Sequence, residues 1–70
     1  MAEKVTATVN GAAQSLDPGT TLEALVRAWG ADPARVVVER NRLIVAKDDF
    51  AVATVADGDV IEIVQFVGGG

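Results

Sequence analysis

This chain contains neither histidine nor cysteine, so the usual general base, thiol nucleophile and strongest metal ligands are all missing. Ser15 has no histidine with which to build a triad. Asp48 and Asp49 are neighbours in sequence, where side chains tend to diverge, so they make a poor catalytic pair. No nucleophile, activating base and orienting group come together, and the chain is expected not to be an enzyme. What remains is the end, Gly68-Gly69-Gly70 with its free carboxylate.

Three glycines have no side chain to pack, so residues 68–70 are expected to stand clear of a domain spanning residues 1–67 as a flexible tail. Three to five extended residues reach roughly 10–17 Å at about 3.3–3.6 Å each. That length can thread a carboxylate down a narrow tunnel into another protein's active site, where any Cβ would collide with the walls. A carboxylate is a poor electrophile because it offers no leaving group. A partner that uses ATP to form an acyl-adenylate supplies one, and a sulfur donor can then leave a thiocarboxylate on Gly70. The lack of cysteine agrees with this chemistry, since no side chain need hold the sulfur. A glycine run alone would favour an inert terminus.

The remaining residues must build a scaffold for that end. Val5, Ala7 and Val9 alternate with Thr6 and Thr8, the period of a half-buried strand. Asn10-Gly11 is a strong hairpin signal, since both residues tolerate positive φ, and Ala12 to Leu16 reads as the return strand. Asp17-Pro18-Gly19 is turn chemistry. Thr20, three residues before Glu23, has the spacing of a capping box. Leu22, Leu25, Val26 and Trp29 follow at i, i+3, i+4 and i+7, one core-facing stripe of a helix. Gly30 is placed to end that helix, and Pro33 prevents a restart. Val36-Val37-Val38 reads as a central strand, Arg40-Asn41-Arg42 as a polar turn and Leu43-Ile44-Val45 as a short partner strand. Asp48 is expected to cap a short helical turn carrying Phe50. Asp57-Gly58-Asp59 is a tight turn, and Val60 to Val67 is the last strand. This order predicts an α+β layer fold of the β-grasp (ubiquitin-like) kind. Its mixed sheet of four or five strands packs on one main helix, with the first and last strands parallel neighbours at the centre. The place of the glycine run directly after the last strand of a β-grasp reverses the preference for an inert terminus.

Charge narrows the partners. Six basic residues stand against ten acidic ones, a net of −4, which argues against nucleic acid. No apolar run approaches the roughly 20 residues of a membrane span, and Met1-Ala2-Glu3-Lys4 lacks the start of a secretory signal. A cytoplasmic protein without a membrane partner is expected. From Asp48 to Gly70 there are five acids and no base, while Arg35, Arg40, Arg42 and Lys47 gather in mid-chain. The acidic end should be steered toward a basic partner surface.

The chain resembles the thiamin-biosynthesis sulfur carriers, the ThiS family, over essentially its whole length. The resemblance rests on Val9-Asn10-Gly11, Thr21-Leu22-Glu23-Ala24-Leu25, and Val38-Glu39-Arg40-Asn41 leading to Ile44-Val45. It is strongest in Asp57-Gly58-Asp59-Val60-Ile61-Glu62-Ile63-Val64 and Phe66-Val67-Gly68-Gly69-Gly70. The family's Gly-Gly end maps onto Gly69 and Gly70; Gly68 matches only part of it. The resemblance implies adenylation of Gly70 by an E1-like adenylyltransferase of the ThiF or MoeB type, which uses ATP. A sulfur donor protein would then supply the thiocarboxylate, and the sulfur would pass to thiazole synthase (ThiG). The chain itself would bind no cofactor and no metal. Molybdopterin-synthase small subunits (MoaD-like) share the fold and the Gly-Gly end but often carry proline before the tail, where this chain has Phe66-Val67. A ubiquitin-like modifier forming isopeptide bonds, or an interaction domain with an inert tail, are the other readings.

Strand parity adds a docking surface. If Ile61 and Ile63 face the helix, then Glu62, Val64 and Phe66 lie on the opposite face. Val64, Phe66 and Val67, beside Gly68 and Gly69, are the candidate docking residues.

Overall fold

The computed structural model describes residues 3–66. Strands β1 (Val5–Val9) and β2 (Ala12–Leu16) pair antiparallel. They are joined by Asn10 and Gly11, both at positive φ (48° and 83°), the geometry that matches the twist of a two-residue hairpin. The helix α1 (Leu22–Trp29) follows and buries Leu22, Leu25 and Val26. Strands β3 (Val36–Arg40) and β4 (Leu43–Val45) form a second antiparallel hairpin, and β5 (Val60–Gln65) is the last strand. The sheet order is β2-β1-β5-β3-β4, with β1 and β5 parallel and β3 and β5 antiparallel. Among the described residues this is the expected β-grasp, with five strands and one α-helix, and β5 lies at the middle of the sheet.

The core lies between α1 and one sheet face. Ala7 and Val9 of β1, Val36 and Val38 of β3, and Ile61 and Ile63 of β5 meet the helix residues there, with Phe50 and Val55 closing the side. Each large side chain buried in full contributes roughly 1.5–3 kcal/mol, so this layer carries most of the stability. Among the described residues no helix is long and apolar enough to cross a membrane.

Four local expectations are corrected. The helix cap is Thr21, whose hydroxyl accepts from the Ala24 N–H at 3.1 Å; Thr20 instead donates its hydroxyl to the Asp17 carbonyl. The cause is that the loop carrying Phe50 and Ala53 satisfies the first helical N–H groups with its carbonyls (Glu23 N to Phe50 O 3.0 Å, Leu22 N to Ala53 O 2.9 Å), so Glu23 has no capping role to fill. Trp29, at the last helical position, is 38% exposed rather than part of the buried stripe. The turn before Phe50 runs from Lys47 to Asp49 with Ala46 ahead of it, and Asp48 lies inside it instead of capping it. Strand β5 ends at Gln65, with Phe66 already beyond it, because β3, its neighbour on that side, begins only at Val36, the partner of Gln65; Val67 lies outside the described residues.

Candidate functional site

Alternation along β5 sorts its side chains as expected. Ile61 and Ile63 are buried against the helix layer, while Val60, Glu62, Val64 and then Phe66 face the other way. That second face has no layer over it among the described residues. Val64 is 54% and Phe66 56% exposed, far more than such groups retain in a core. Register adds Val37 opposite Val64, and Glu39 opposite Glu62 with Ile44 beyond it. The tail-proximal part of this open face is therefore apolar, as predicted for Val64 and Phe66. The Phe66 N–H donates to the Arg35 carbonyl at 3.0 Å, so the chain leaves the sheet beside the short 3₁₀ turn Pro33–Arg35. Val67, Gly68, Gly69 and Gly70 lie outside the described residues.

The strand is held in place by two asparagines, both in hairpin turns at positive φ. Asn41 accepts from the Val60 N–H at 2.9 Å and donates to the Asp59 carboxylate at 3.1 Å. Asn10 accepts from the Ile63 N–H at 2.7 Å and donates to the Ile63 carbonyl at 3.1 Å. The parallel β1–β5 pairing covers only Thr8 with Val60 and Val9 with Ile61, and the Asn10 amide continues that ladder where β1 has already turned away. Sequence reasoning assigned both residues to turns alone. The available signal was that the chain's only two asparagines both stand in hairpin turns, where a glycine would have served the backbone equally well.

Asp59 was also read only as a turn residue. It is 6% exposed and accepts from the Ala56 N–H at 2.8 Å, from Asn41, and from the Arg40 guanidinium at 2.9 Å. Burial pushes against its ionisation, but the hydrogen bonds from Ala56 and Asn41 and the charge of Arg40 outweigh it, so its pKa is lowered. Asp57 accepts from the Thr6 N–H at 2.8 Å. Two of the five acids in the C-terminal part thus anchor the start of β5, at the end remote from Phe66. The basic residues do not gather either. Arg40 is engaged by Asp59 at one end of β3, while Lys47 donates to the Ala34 carbonyl near the other. Among the described residues no group of three or more potential metal ligands is present.

The site is thus an exposed apolar patch beside the point where the chain leaves the sheet, on a strand pinned at its start and middle. A model described as ThiS family matches residues 4–70. The chain is 42% identical over 50 residues, 71% of its length, to the sulfur carrier protein ThiS of Bacillus subtilis, covering 76% of that protein. It is 45% identical over 62 residues to a thiazole synthase of Paramagnetospirillum magneticum, covering 89% of this chain but spanning only 19% of that protein. Its fold superposes on the crystal structure of the thiamine biosynthesis protein ThiS from Geobacter metallireducens with a TM-score of 0.76. That pair shares 33% identity over 94% of this chain and all of the other.

Proposed function

The chain belongs to the ThiS family, and we propose that it serves as a sulfur carrier in thiamin biosynthesis, loaded on the C-terminal carboxylate of Gly70. The observation that carries this reading is a family match running through residue 70 on a chain whose central strand β5 ends at Gln65, five residues before Gly70. The carboxylate oxygen attacks the α-phosphorus of ATP in an E1-like adenylyltransferase of the ThiF or MoeB type, and pyrophosphate leaves. The terminal sulfur of a donor protein's persulfide then attacks the acyl carbon and displaces AMP, giving an acyl disulfide, and a thiol reductant cleaves its S–S bond to leave the thiocarboxylate and the donor's thiol. The chain is a substrate in each step and contributes no catalytic group. The four residues after Phe66 can span at most roughly 14 Å, so the adenylating site must come that close to the open sheet face. Val64, Phe66 and Val67 form the docking surface, while Gly68 and Gly69 pass through the partner's channel.

The acceptor of the sulfur is thiazole synthase (ThiG). Support comes from the thiazole synthases of Paramagnetospirillum magneticum and Magnetococcus marinus, each of which contains a stretch like this chain.

Adding one residue after Gly70 should abolish ATP–pyrophosphate exchange with the adenylyltransferase while leaving the unfolding midpoint unchanged. Normal exchange with the extended chain would overturn the assignment. Mass spectrometry with ATP and a sulfur donor should show one oxygen replaced by sulfur; covalent ladders would instead mark a protein modifier.

A further inference from the structure

Glu39 and Glu62 stand directly opposite each other on neighbouring antiparallel strands, on the open sheet face. Directly opposed residues have Cβ atoms roughly 4.5–5.5 Å apart, and like charges in that arrangement repel. Among the described residues no countercharge reaches them. Of its six cations, Lys4, Arg27 and Arg40 are paired with Asp17, Glu23 and Asp59, and Lys47 is bonded to the Ala34 carbonyl. Among the described residues neither Arg35 nor Arg42 reaches within 4 Å of either glutamate.

The surroundings of the pair are apolar. Val37 and Val64 form the next cross-strand row toward Phe66, and Ile44 pairs with Glu39 from the other side. Val60 precedes Glu62 on the same face. Ile44, Val60, Val64 and Phe66 are all about half exposed or more. Two carboxylates set among aliphatic groups match a long cationic side chain, whose stem packs on the valines and isoleucine while its head lies between the acids.

Resting on the docking reading above, we propose that Glu39 and Glu62 together receive an arginine or lysine of the adenylyltransferase, set within an apolar contact surface. The partner's cation relieves a repulsion that the free carrier tolerates, so the pair favours the complex over the free chain. Electrostatic attraction of this kind also speeds encounter and weakens with salt.

The test measures Tm and affinity for the purified adenylyltransferase with Glu39→Gln, Glu62→Gln and the double variant, beside Phe66→Ala. Each glutamine keeps the side-chain shape. Removing the repulsion should raise Tm by about 1–3 °C, while affinity falls about tenfold for each single variant and loses much of its salt dependence. A stability gain with unchanged or tighter binding would overturn the proposal, as would a loss of affinity confined to thiazole synthase. Phe66→Ala separates the two readings. If it weakens binding and the glutamines do not, the docking face stands and the cation site falls; if none of the variants weakens binding, the docking reading itself falls.

Discussion

At its start β5 is preceded by Asp59, 6% exposed and bonded to Ala56, Asn41 and Arg40; at its end it leads into Phe66, 56% exposed with its ring uncovered. Both ends belong to one strand at the centre of one sheet, so the contrast does not come from position in the fold. It comes from which groups are satisfied within the chain. The start places a charge under cover and surrounds it with donors, an arrangement that holds only when every partner is in place. The end leaves apolar area in water, which costs stability unless something else covers it. A small domain with a marginal core can hold such a surface open because the anchoring is done elsewhere, by Asp59, the two asparagines and the helix layer.

The strongest way to break this comparison is at the anchored end. Asp59→Ala should destabilise the domain by about 2 kcal/mol, since it leaves the Ala56 N–H, the Asn41 amide and the partly buried Arg40 without their acceptor. The effect must depend on pH in a defined direction. The folded-state pKa of Asp59 is lowered, so its contribution is fully present above the unfolded value of about 3.9. That contribution is lost as pH falls through the folded value. Denaturation curves should therefore show the variant and the parent far apart at neutral pH and converging below about pH 4. A gap that stays constant with pH would mean that packing, not the charge, anchors this end.

At the open end the sign of the contrast reverses. Phe66→Ala should leave the unfolding midpoint nearly unchanged. It should weaken binding to the adenylyltransferase about thirtyfold, or about 2 kcal/mol, the size expected of an aromatic anchor at an interface. Measuring both quantities on one sample is decisive. A large loss of stability would place the ring in the fold, and the two ends of β5 would then be alike.

The open end was readable from sequence and the anchored end was not, for a physical reason. Strand parity needs only the alternation Ile61, Ile63 against Glu62, Val64, Phe66, which is local. The anchoring depends on side chains far apart in the chain: Asn10 reaches Ile63, Asn41 reaches Asp59 and Val60, and Asp57 reaches Thr6. Local patterns found the turns these residues occupy but not what their amides and carboxylates bond. The same limit explains the helix start. Thr20 and Glu23 have the spacing of a reciprocal cap, but the carbonyls of Phe50 and Ala53, some 30 residues away, occupy the N–H groups and move the cap to Thr21. The stripe of Leu22, Leu25 and Val26 needed no distant information and was found. Trp29 failed because the periodicity gives a direction but not how far the covering sheet extends.

Between the two ends lies Asn10, and its substitution has the smallest expected effect. Its φ of 48° makes alanine a poor probe, since backbone strain would add to the loss of the amide. Glycine accepts that conformation, so Asn10→Gly isolates the two bonds to Ile63. Each such bond contributes about 1 kcal/mol net, and because Asn10 itself is exposed, water can partly replace the amide. The expected loss is therefore about 1–2 kcal/mol in denaturant unfolding, with an unchanged m-value. Asn10→Asp sharpens the result further. A carboxylate can accept from the Ile63 N–H, but its second oxygen must then face the Ile63 carbonyl, which disfavours ionisation and raises the new group's folded pKa. The penalty should thus be greatest above that raised value and diminish as the solution is acidified, because ionisation destabilises the fold at position 10 whereas it stabilises the fold at Asp59. If Asn10→Gly costs nothing, side chains anchor β5 at its start alone, and beyond that point only its pairing with β3 and its buried face hold the strand.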